Sequence, residues 1–260
     1  MSSLFDIGKS GLQSYRQSLA VTGQNIANIN TDGYKRREAG LEEITASQGG
    51  ITGIANQSGL GVRIDAIRRS FDSYLIDRNR SATAYYEAEN SFLNKLKELE
   101  DMMLPTDSNL GIVMGRFFNS LQEVAAAPGD VAPRTVAMEM ADLMAGTFRS
   151  TAQVVEEVKS GILKQAEIDI TSINTLSNEL ANINKKLLAA SGSSNNSLLD
   201  NRDMVIDEIS KLIEVTTELD TRGTAQVRLG KSQNGPFLVS NTVNNLMSVS
   251  ENLGSLTFSI

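Results

Sequence analysis

Residues 173–187 read INTLSNELANINKKL, and this stretch decides the fold because its apolar residues recur at helical spacing. The apolar positions are Ile173, Leu176, Leu180, Ile183 and Leu187. Spacings of three and four place them on one face of an α-helix. Upstream, no proline interrupts the chain as far back as Pro133, a residue suited to the first turn of a helix. The pattern predicts one helix over 133–190, with a break allowed near Gly161 because glycine destabilises a helix interior.

Further helices are predicted on both sides of this one, over about 71–104, 109–126 and 198–213. Pro105 and Pro128-Gly129 separate the first helices, and a polar turn over 191–196 precedes the last. Ser197 and Asp200 have the spacing of a capping box, with Asp in place of the usual Glu. The predicted buried side of this last helix consists of Leu199, Met204, Val205, Ile209 and Leu212.

The end of the chain changes to the alternating pattern of strands, with glycine-containing turns at Gly223, Gly230 and Asn234-Gly235. The predicted fold is therefore mainly α, an elongated rod of long helices, and α+β overall. Its predicted segments are an N-terminal heptad helix over 1–34, a Gly-rich extended arm over 35–70, a long-helix bundle over 71–213 and the start of a β domain over 214–260. Residues 254–260 read as a strand with no turn after it, so we expect this β domain to be truncated.

The opening helix, predicted over 4–29, carries a seven-residue repeat. One heptad position holds Phe5, Leu12, Leu19 and Ile26, and the other holds Gly8, Tyr15, Thr22 and Ile29. The opposite face is formed by Ser, Gln, Asn and Lys and carries little charge. Such a helix has little stability alone in water. It either docks on its own domain or orders against neighbouring subunits.

Composition excludes several classes of function. The chain of 260 residues has 24 basic and 31 acidic residues, a formal net charge of −7, and no Cys, His or Trp. The absence of His excludes Ser-His-Asp and Cys-His catalysis. The absence of Cys excludes disulfides, thiolate nucleophiles and Fe–S clusters, and Cys/His zinc sites are excluded with them. An enzyme that acts through carboxylates alone, such as a glycosidase, stays open. No pair of acidic residues stands out, so no catalytic, cofactor-binding or metal-binding residue is assigned.

Basic residues gather in the arm and in the helix after it. They are Lys35, Arg36, Arg37, Arg63, Arg68, Arg69, Arg78 and Arg80. Acidic residues are interleaved with them, whereas a nucleic-acid surface would carry one sign of charge. The pattern predicts ion pairs across subunit contacts or a solvated surface, and no nucleic-acid partner. The glycines of the arm, including Gly49-Gly50, Gly53, Gly59 and Gly61, lack the strand–loop–Lys–helix context of a phosphate loop. No stretch approaches the roughly 20 apolar residues of a membrane span, so membrane insertion is not predicted.

The end of the opening helix carries a recognisable motif, GQNIANINTDGYKR over 23–36. This motif resembles the N-terminal signature of the bacterial flagellar rod, hook and hook-associated proteins. The residues that match are Asn25, Ile26, Ala27, Asn28, Thr31, Gly33, Tyr34, Lys35 and Arg36. Three further stretches resemble hook-associated members of this family: FFNSLQ at 117–122, PGD at 128–130 leading to Arg134, and NSLLDNRD at 196–203. Rod and hook members follow the opening with a mainly β body, whereas here long helices come first.

The resemblance implies a structural subunit, not an enzyme, at the junction between hook and filament. It implies as partners copies of the protein itself in a helical assembly, hook subunits, adjacent junction or filament subunits, and a flagellar export chaperone. It also implies secretion by the type III export apparatus to the extracellular flagellum, without a cleaved signal peptide. The alternatives are another axial component, such as a hook or distal rod subunit, and a cytosolic coiled-coil adaptor.

In this family the opening helix forms half of an inner coiled coil, and the C-terminus of the same chain supplies the other half. The resemblance therefore implies subunit interaction through the apolar seam, whose members are Phe5, Leu12, Tyr15, Leu19, Ile26 and Ile29. Because the sequence shows no C-terminal helix to complete this coil, we expect the opening helix to be loosely packed, displaced or disordered. Asn25, Asn28, Gly33 and Tyr34 are expected to fix the exit of the chain from the helix.

Overall fold

The structure is a computed structural model that describes residues 4–44, 61–103, 109–190, 195–252 and 255–260. The helices are α1 (Leu4–Ala27), α2 (Ser73–Met103), α3 (Leu110–Ala126), α4 (Val131–Ala189) and α5 (Asn196–Leu212). The strands are β1 (Arg37–Glu43), β2 (Val62–Arg69), β3 (Val215–Leu219), β4 (Ala225–Leu229), β5 (Phe237–Ser240), β6 (Val243–Asn244), β7 (Ser248–Asn252) and β8 (Ser255–Ser259). All strand pairs are antiparallel. The mainly α fold with added β structure is thus confirmed.

Helix α4 confirms the long helix predicted from its apolar periodicity. It contains 59 residues, so at a rise of about 1.5 Å per residue it is about 88 Å long. The break allowed near Gly161 is absent, and Gly161 lies within the helix. One interior glycine costs only about 1 kcal/mol relative to alanine, and the helical pattern continues on both sides of it. The predicted break at Pro105, the arm glycines Gly49-Gly50, Gly53 and Gly59, residues 191–194 of the polar turn, and Gly254 at the start of the predicted last strand lie outside the described residues.

Contacts within the chain form two compact units, each assembled from two separated stretches. Unit 1 contains Met1–Ala84 and Asn174–Leu246, and unit 2 contains Tyr85–Ile173 and Met247–Ile260. These boundaries differ from those of the four segments predicted from the sequence. The predicted β region over 214–260 contributes the sheet β3-β4-β5-β6 to unit 1 and the hairpin β7–β8 to unit 2.

The core of unit 1 lies between the end of α4, helix α5 and the four-stranded sheet. Its buried apolar side chains are Leu180, Ile183 and Leu187 of α4, Val205, Ile206 and Ile209 of α5, and Val215, Ala225, Val227, Leu238 and Val239 of the sheet. The apolar face that was read from residues 173–187 is therefore the face that packs here. Leu212, which was predicted to be buried, is 40% exposed because it ends the helix.

A single buried amide ties α4 to the sheet. Asn184 is fully buried, its Oδ1 accepts a hydrogen bond from the backbone N of Ala225 at 3.0 Å, and its Nδ2 donates to the Ala225 carbonyl at 2.8 Å. The same Nδ2 also donates to the carbonyl of Asn241. Both backbone groups of Ala225 thus depend on one side chain, in a place that water does not reach.

Unit 2 combines α3 with parts of α2 and α4 and the hairpin β7–β8. Val113 of α3 and Ala137 of α4 are buried. The Lys159 ammonium group donates to Glu251 of β7 at 2.7 Å, and this hydrogen bond raises the pKa of Lys159 above its ordinary value. Leu256 of β8 lines an apolar cavity of about 270 Å³ together with residues of α2 and α4.

Helix α5 carries an acidic face that pairs with arginines from three other elements. Asp200, Asp203 and Asp207 are spaced three and four residues apart, so they share one side of the helix. The ion pairs are Arg37–Asp200 at 3.2 Å, Arg69–Asp200 at 2.9 Å, Arg69–Asp203 at 2.8 Å and Arg80–Asp207 at 2.6 Å. For Arg37, Arg69 and Arg80, the prediction of pairing between subunits or a solvated position is wrong, because they pair within the chain. Arg36, Arg63 and Arg68 are exposed, as the solvated alternative predicts.

The capping box predicted at Ser197 and Asp200 is also wrong. Helix α5 begins two residues earlier than predicted, at Asn196, and its N-cap Asn195 makes no side-chain capping bond. Asp200 is unavailable as a cap because both of its carboxylate oxygens bind arginines. Ser197 accepts a hydrogen bond from Arg37 at 3.4 Å.

We predict that Asn184→Ala destabilises the protein by about 1–3 kcal/mol, because the buried N–H and C=O of Ala225 lose their partners. Urea unfolding followed by circular dichroism measures this change. The matched control is Asn182→Ala on the same helix, where the side chain is exposed and the change should stay within about 0.5 kcal/mol. Equal effects of the two substitutions would contradict the assigned role of Asn184.

Candidate subunit interface

Helix α1 packs on the hairpin β1–β2 with its polar side. The residues of this side that make the contact are Ser10, Ser14, Val21 and Asn25, at spacings of four, seven and four. Ser14 and Val21 are the buried residues of the helix. The larger apolar side chains of α1 lie on the other side. The helix is therefore oriented opposite to an ordinary surface helix, which buries its apolar stripe.

Two serines of α1 bind the beginning of strand β2. The Oγ of Ser10 accepts a hydrogen bond from the backbone N of Val62 at 3.2 Å, and the Oγ of Ser14 donates to the Val62 carbonyl at 3.0 Å. Gly61, at φ +118°, precedes this residue, and a Cβ there would overlap the Oγ of Ser10. The close approach of helix and strand therefore requires a glycine at this position.

Asn25 binds the beginning of strand β1 in the same manner. Its Nδ2 donates to the carbonyl of Arg37 at 2.8 Å, and its Oδ1 accepts from the backbone N of Arg37 at 2.9 Å. The Oδ1 also accepts from the Tyr34 hydroxyl at 2.9 Å, and the Tyr34 ring lies 4.9 Å from the Arg37 guanidinium carbon. Arg37 and Val62 lie at opposite ends of the hairpin ladder, so α1 is held at both ends.

The turn that leaves α1 is fixed by its own hydrogen bonds and by α5. Asn28 donates through Nδ2 to the Gln24 carbonyl at 2.9 Å, and its Oδ1 accepts from the Thr31 hydroxyl at 3.2 Å. Gly33 adopts φ +76°, and a Cβ at this position would overlap the Sδ and Cγ atoms of Met204. The motif residues thus reverse the chain at one defined point and bring it against α5.

The apolar seam of α1 faces away from the hairpin. The exposed fractions of its members are Phe5 78%, Leu12 64%, Tyr15 67%, Leu19 72%, Ile26 68% and Ile29 78%. Within the described part of the chain, nothing buries these six side chains. An apolar stripe of this length, left exposed on a formed helix, is a candidate interface for another protein segment. The C-terminal end of the stripe, with Ile26 and Ile29, borders a groove of about 680 Å³ that also includes Tyr34 and Ala39.

The sequence-based site residues thus fall into two groups. Five seam residues lie on the outer face of α1 and Ile29 lies in the turn after it, whereas Asn25, Gly33 and Tyr34 hold the helix to the hairpin and to α5. Helix α1 differs from the loosely packed or displaced segment expected from the sequence, because its polar side is bound at both ends. Sequence reasoning missed Ser10 and Ser14, although their spacing of four on the polar side was a signal that could have been used.

The remaining residues of the motif have simpler surroundings. Ala27 ends α1, and Lys35 and Arg36 lead into β1, where Arg36 forms an exposed ion pair with Glu38. Across the described residues, no helix is long and apolar enough to span a membrane. The same residues contain no group of three or more acidic side chains arranged to hold a metal ion.

Two family models match the chain. The model for the flagellar hook-associated protein FlgK helical domain matches residues 96–259, and the model for flagella basal body rod proteins matches residues 5–35. The chain belongs to the flagellar hook-associated protein FlgK family. The match to the rod-protein model covers helix α1 and the turn after it, which is the segment that carries the exposed seam.

Individual FlgK relatives agree with this assignment. Flagellar hook-associated protein 1 of Bacillus subtilis (strain 168) is 27% identical over 227 residues, which is 84% of this chain and 44% of that protein. Flagellar hook-associated protein 1 of Salmonella typhimurium (strain LT2) is 25% identical over 243 residues, which is 92% of this chain and 43% of that protein. The chain thus spans less than half the length of these relatives.

A solved structure shares the fold. The flagellar hook junction protein FlgK from Burkholderia pseudomallei superposes with a TM-score of 0.63 at 21% identity, over 70% of this chain and 32% of that chain. At this identity, the similarity establishes the fold and no more.

We predict that Gly33→Ala destabilises the protein by about 1–3 kcal/mol, because alanine is strained at φ +76° and its Cβ would overlap Met204. The matched control is Gly23→Ala within α1, where nothing lies within 4 Å of a Cβ. Alanine at position 23 should stabilise the helix by about 0.5–1 kcal/mol, so the two substitutions should change the unfolding free energy in opposite directions. Chemical denaturation of both variants is the measurement, and a shared sign would contradict the described turn.

Proposed function

We propose that this protein is a structural subunit of the bacterial flagellum that joins the hook to the filament through the exposed seam of α1. The observation that carries the proposal is the outward seam on a helix that its own hairpin already holds in place. The names of the FlgK relatives support the site of action, and the helical-domain match over 96–259 supports a junction subunit. No catalytic activity is proposed.

Association through the seam gains from apolar burial. Full burial of a Leu, Ile or Phe side chain contributes about 1.5–3 kcal/mol relative to an exposed one. Leu12, Leu19 and Ile26 are each more than 60% exposed, so most of this contribution is still available. Because α1 is already helical and anchored, binding does not have to order its backbone, which lowers the entropic cost of association.

The spacing of the seam defines its partner. The apolar residues of the seam occupy the two core positions of a seven-residue repeat, with Gly8 and Thr22 at the other core positions. A helix with such a repeat packs against a second helix with the same repeat. We propose that copies of this protein supply such helices in an open helical assembly, in which contacts are heterologous and do not close. Hook subunits, adjacent junction or filament subunits and a flagellar export chaperone are proposed as further partners. The proposed location is the extracellular flagellum, reached by secretion without a cleaved signal peptide.

A second candidate function is another axial component, such as a rod subunit. The match of residues 5–35 to rod proteins favours it, because this segment includes the whole seam. The long helix α4 favours the junction, since the FlgK helical-domain match covers its whole length. The two candidates predict different positions for the protein along the isolated flagellum.

We predict that the double substitution Leu12→Asp and Leu19→Asp abolishes filament attachment while the protein still folds. Burying a carboxylate costs several kcal/mol, so association through the seam should weaken by about 100-fold or more. The test replaces the gene in a motile strain, counts cells with filaments by electron microscopy, and detects the protein in isolated hooks and in the medium. Stability of the purified variant should change by less than about 0.5 kcal/mol, because both leucines are exposed.

The control variant is Gln13→Asp with Gln17→Asp, which adds the same charge at exposed positions of α1 that lie outside the seam. This variant should retain filaments. Filaments on cells that carry the Leu12 and Leu19 substitutions would contradict the proposed role of the seam. Loss of the rod or hook as well as the filament would favour the second candidate.

A further inference from the structure

Helix α1 packs on the hairpin β1–β2, and we call the two together the seam module (residues 4–44 and 61–69). Ser10, Ser14 and Asn25 bind the backbone of both strands. The strands pair over their whole described length, from Arg37 opposite Arg69 to Glu43 opposite Val62. The seam module therefore has a dense hydrogen-bonded interior, and the seam keeps a fixed position on it.

Ionic and polar contacts join the seam module to α5. They are the pairs of Arg37 with Asp200 and Ser197, the pairs of Arg69 with Asp200 and Asp203, the hydrogen bond from Asn196 to the Ile67 carbonyl, and the packing of Gly33 on Met204. Asn196, Asp200 and Asp203 lie at spacings of four and three, on one side of α5. Met204 supplies the apolar contact on this side of the helix.

Within the described part of the chain, the Asp200 carboxylate forms ion pairs only with arginines of the seam module. One oxygen binds Arg37 at 3.2 Å and the other binds Arg69 at 2.9 Å, so it joins both strands to α5. Asp203, in contrast, also binds Arg202, whose guanidinium is buried. Burial lowers the pKa of Arg202 from its ordinary value, and the charge of Asp203 opposes this effect. Asp203 is therefore part of the core of unit 1.

The ion pairs of Asp200 are shielded from solvent, but one of the arginines involved has a nitrogen without a hydrogen-bond partner among the described residues. The side chains of Asp200 and Arg69 are 8% and 7% exposed, so solvent screens their attraction little. The Nε of Arg37 is buried without a hydrogen-bond partner among the described residues. A buried polar network with an unsatisfied group is less stable than a complete one. The network around Arg37 and Asp200 is therefore a place where the contact between the seam module and α5 can open.

The chain leaves the seam module at residues 70–72, directly before α2. Ser70 donates its backbone N–H to the Arg36 carbonyl at 2.7 Å. The Phe71 ring lies 5.2 Å from the guanidinium carbon of Arg69 and 5.9 Å from that of Arg202. One short segment thus connects two hydrogen-bonded bodies, which is the geometry of a hinge.

We propose that Arg37, Arg69 and Asp200 form an ionic latch that sets the resting position of the seam module on α5, and that release of the latch lets the module turn as one body about residues 70–72. Movement of this kind changes the direction in which the seam of α1 points and leaves the seam itself intact. A role of this movement in assembly rests on the proposed function. The latch and the movement themselves rest on the contacts described above.

The test measures distances in the purified full chain by pulsed electron paramagnetic resonance. The chain has no native cysteine, so nitroxide labels attach only at introduced sites. One pair, Gln17→Cys with Glu218→Cys, reports between α1 and the four-stranded sheet of unit 1. A second pair, Gln17→Cys with Glu43→Cys, reports within the seam module. All three positions are exposed.

We predict that Asp200→Asn broadens and shifts the 17–218 distance distribution and leaves the 17–43 distribution unchanged. The substitution keeps the shape of the side chain, removes the carboxylate that pairs with Arg37 and removes one of the two carboxylates that pair with Arg69. The control is Glu42→Gln, which removes the exposed ion pair with Arg63 inside the hairpin and should change neither distribution. If Asp200→Asn does not fold, Arg37→Gln at the more exposed end of the latch replaces it.

An unchanged 17–218 distribution in the folded variant would overturn the latch, because packing alone would then hold the seam module. A change in both distributions, or unfolding of both variants, would overturn it as well, since Asp200 would then support the fold and not a joint. Failure of the proposed function is a separate result. Seam substitutions such as Leu12→Asp act on filament attachment and leave both distance distributions as they are.

Discussion

Side chains of α1 complete the hydrogen bonding of the hairpin, and the rest of the structure depends on this constraint. Buried backbone groups require hydrogen-bond partners. Here Ser10 and Ser14 bind the backbone N–H and C=O of Val62, and Asn25 binds those of Arg37. The helix therefore cannot turn its apolar face toward the strands without leaving these groups unsatisfied. Its orientation is set by polar contacts, and the seam is directed outward as a consequence.

This arrangement separates two tasks that an ordinary amphipathic helix combines. The polar side of α1 provides the attachment to its own chain, and the apolar side stays available for association. The cost is an exposed apolar stripe, which a monomer in water does not favour. A protein that works inside a polymer recovers this cost on assembly. The match of this segment to rod proteins and of the later helices to FlgK agrees with one shared N-terminal segment joined to a distinct helical body.

Periodicity made the helices predictable, and contacts between distant residues were the part that the sequence did not reveal. The three–four spacing in α4 gave both its length and its buried face over Ile173–Leu187, because helical packing follows from local pattern. The pairing of Arg69 with Asp200 joins residues 131 positions apart, and no local pattern encodes it. The local sequence pattern predicted a capping box at Ser197 and Asp200 that the structure does not contain. The Asp200 carboxylate binds distant arginines instead of capping the helix. At the interface, the seam was readable from the heptad repeat, whereas the attachment through small polar residues was not.

The motif after α1 acquires a physical meaning from these contacts. Asn25 forms hydrogen bonds with the backbone C=O and N–H of Arg37 and with the Tyr34 hydroxyl. A shorter or apolar side chain does not form all three. Gly33 is required twice, by its positive φ and by the nearness of Met204 on α5. The same few residues thus fix the helix to the hairpin and bring the hairpin to the acidic face of α5. Within the module, α1 binds the backbone of the strands through Ser10, Ser14 and Asn25, whereas ion pairs of Arg37 and Arg69 join the hairpin to α5, and the proposed latch rests on this contrast.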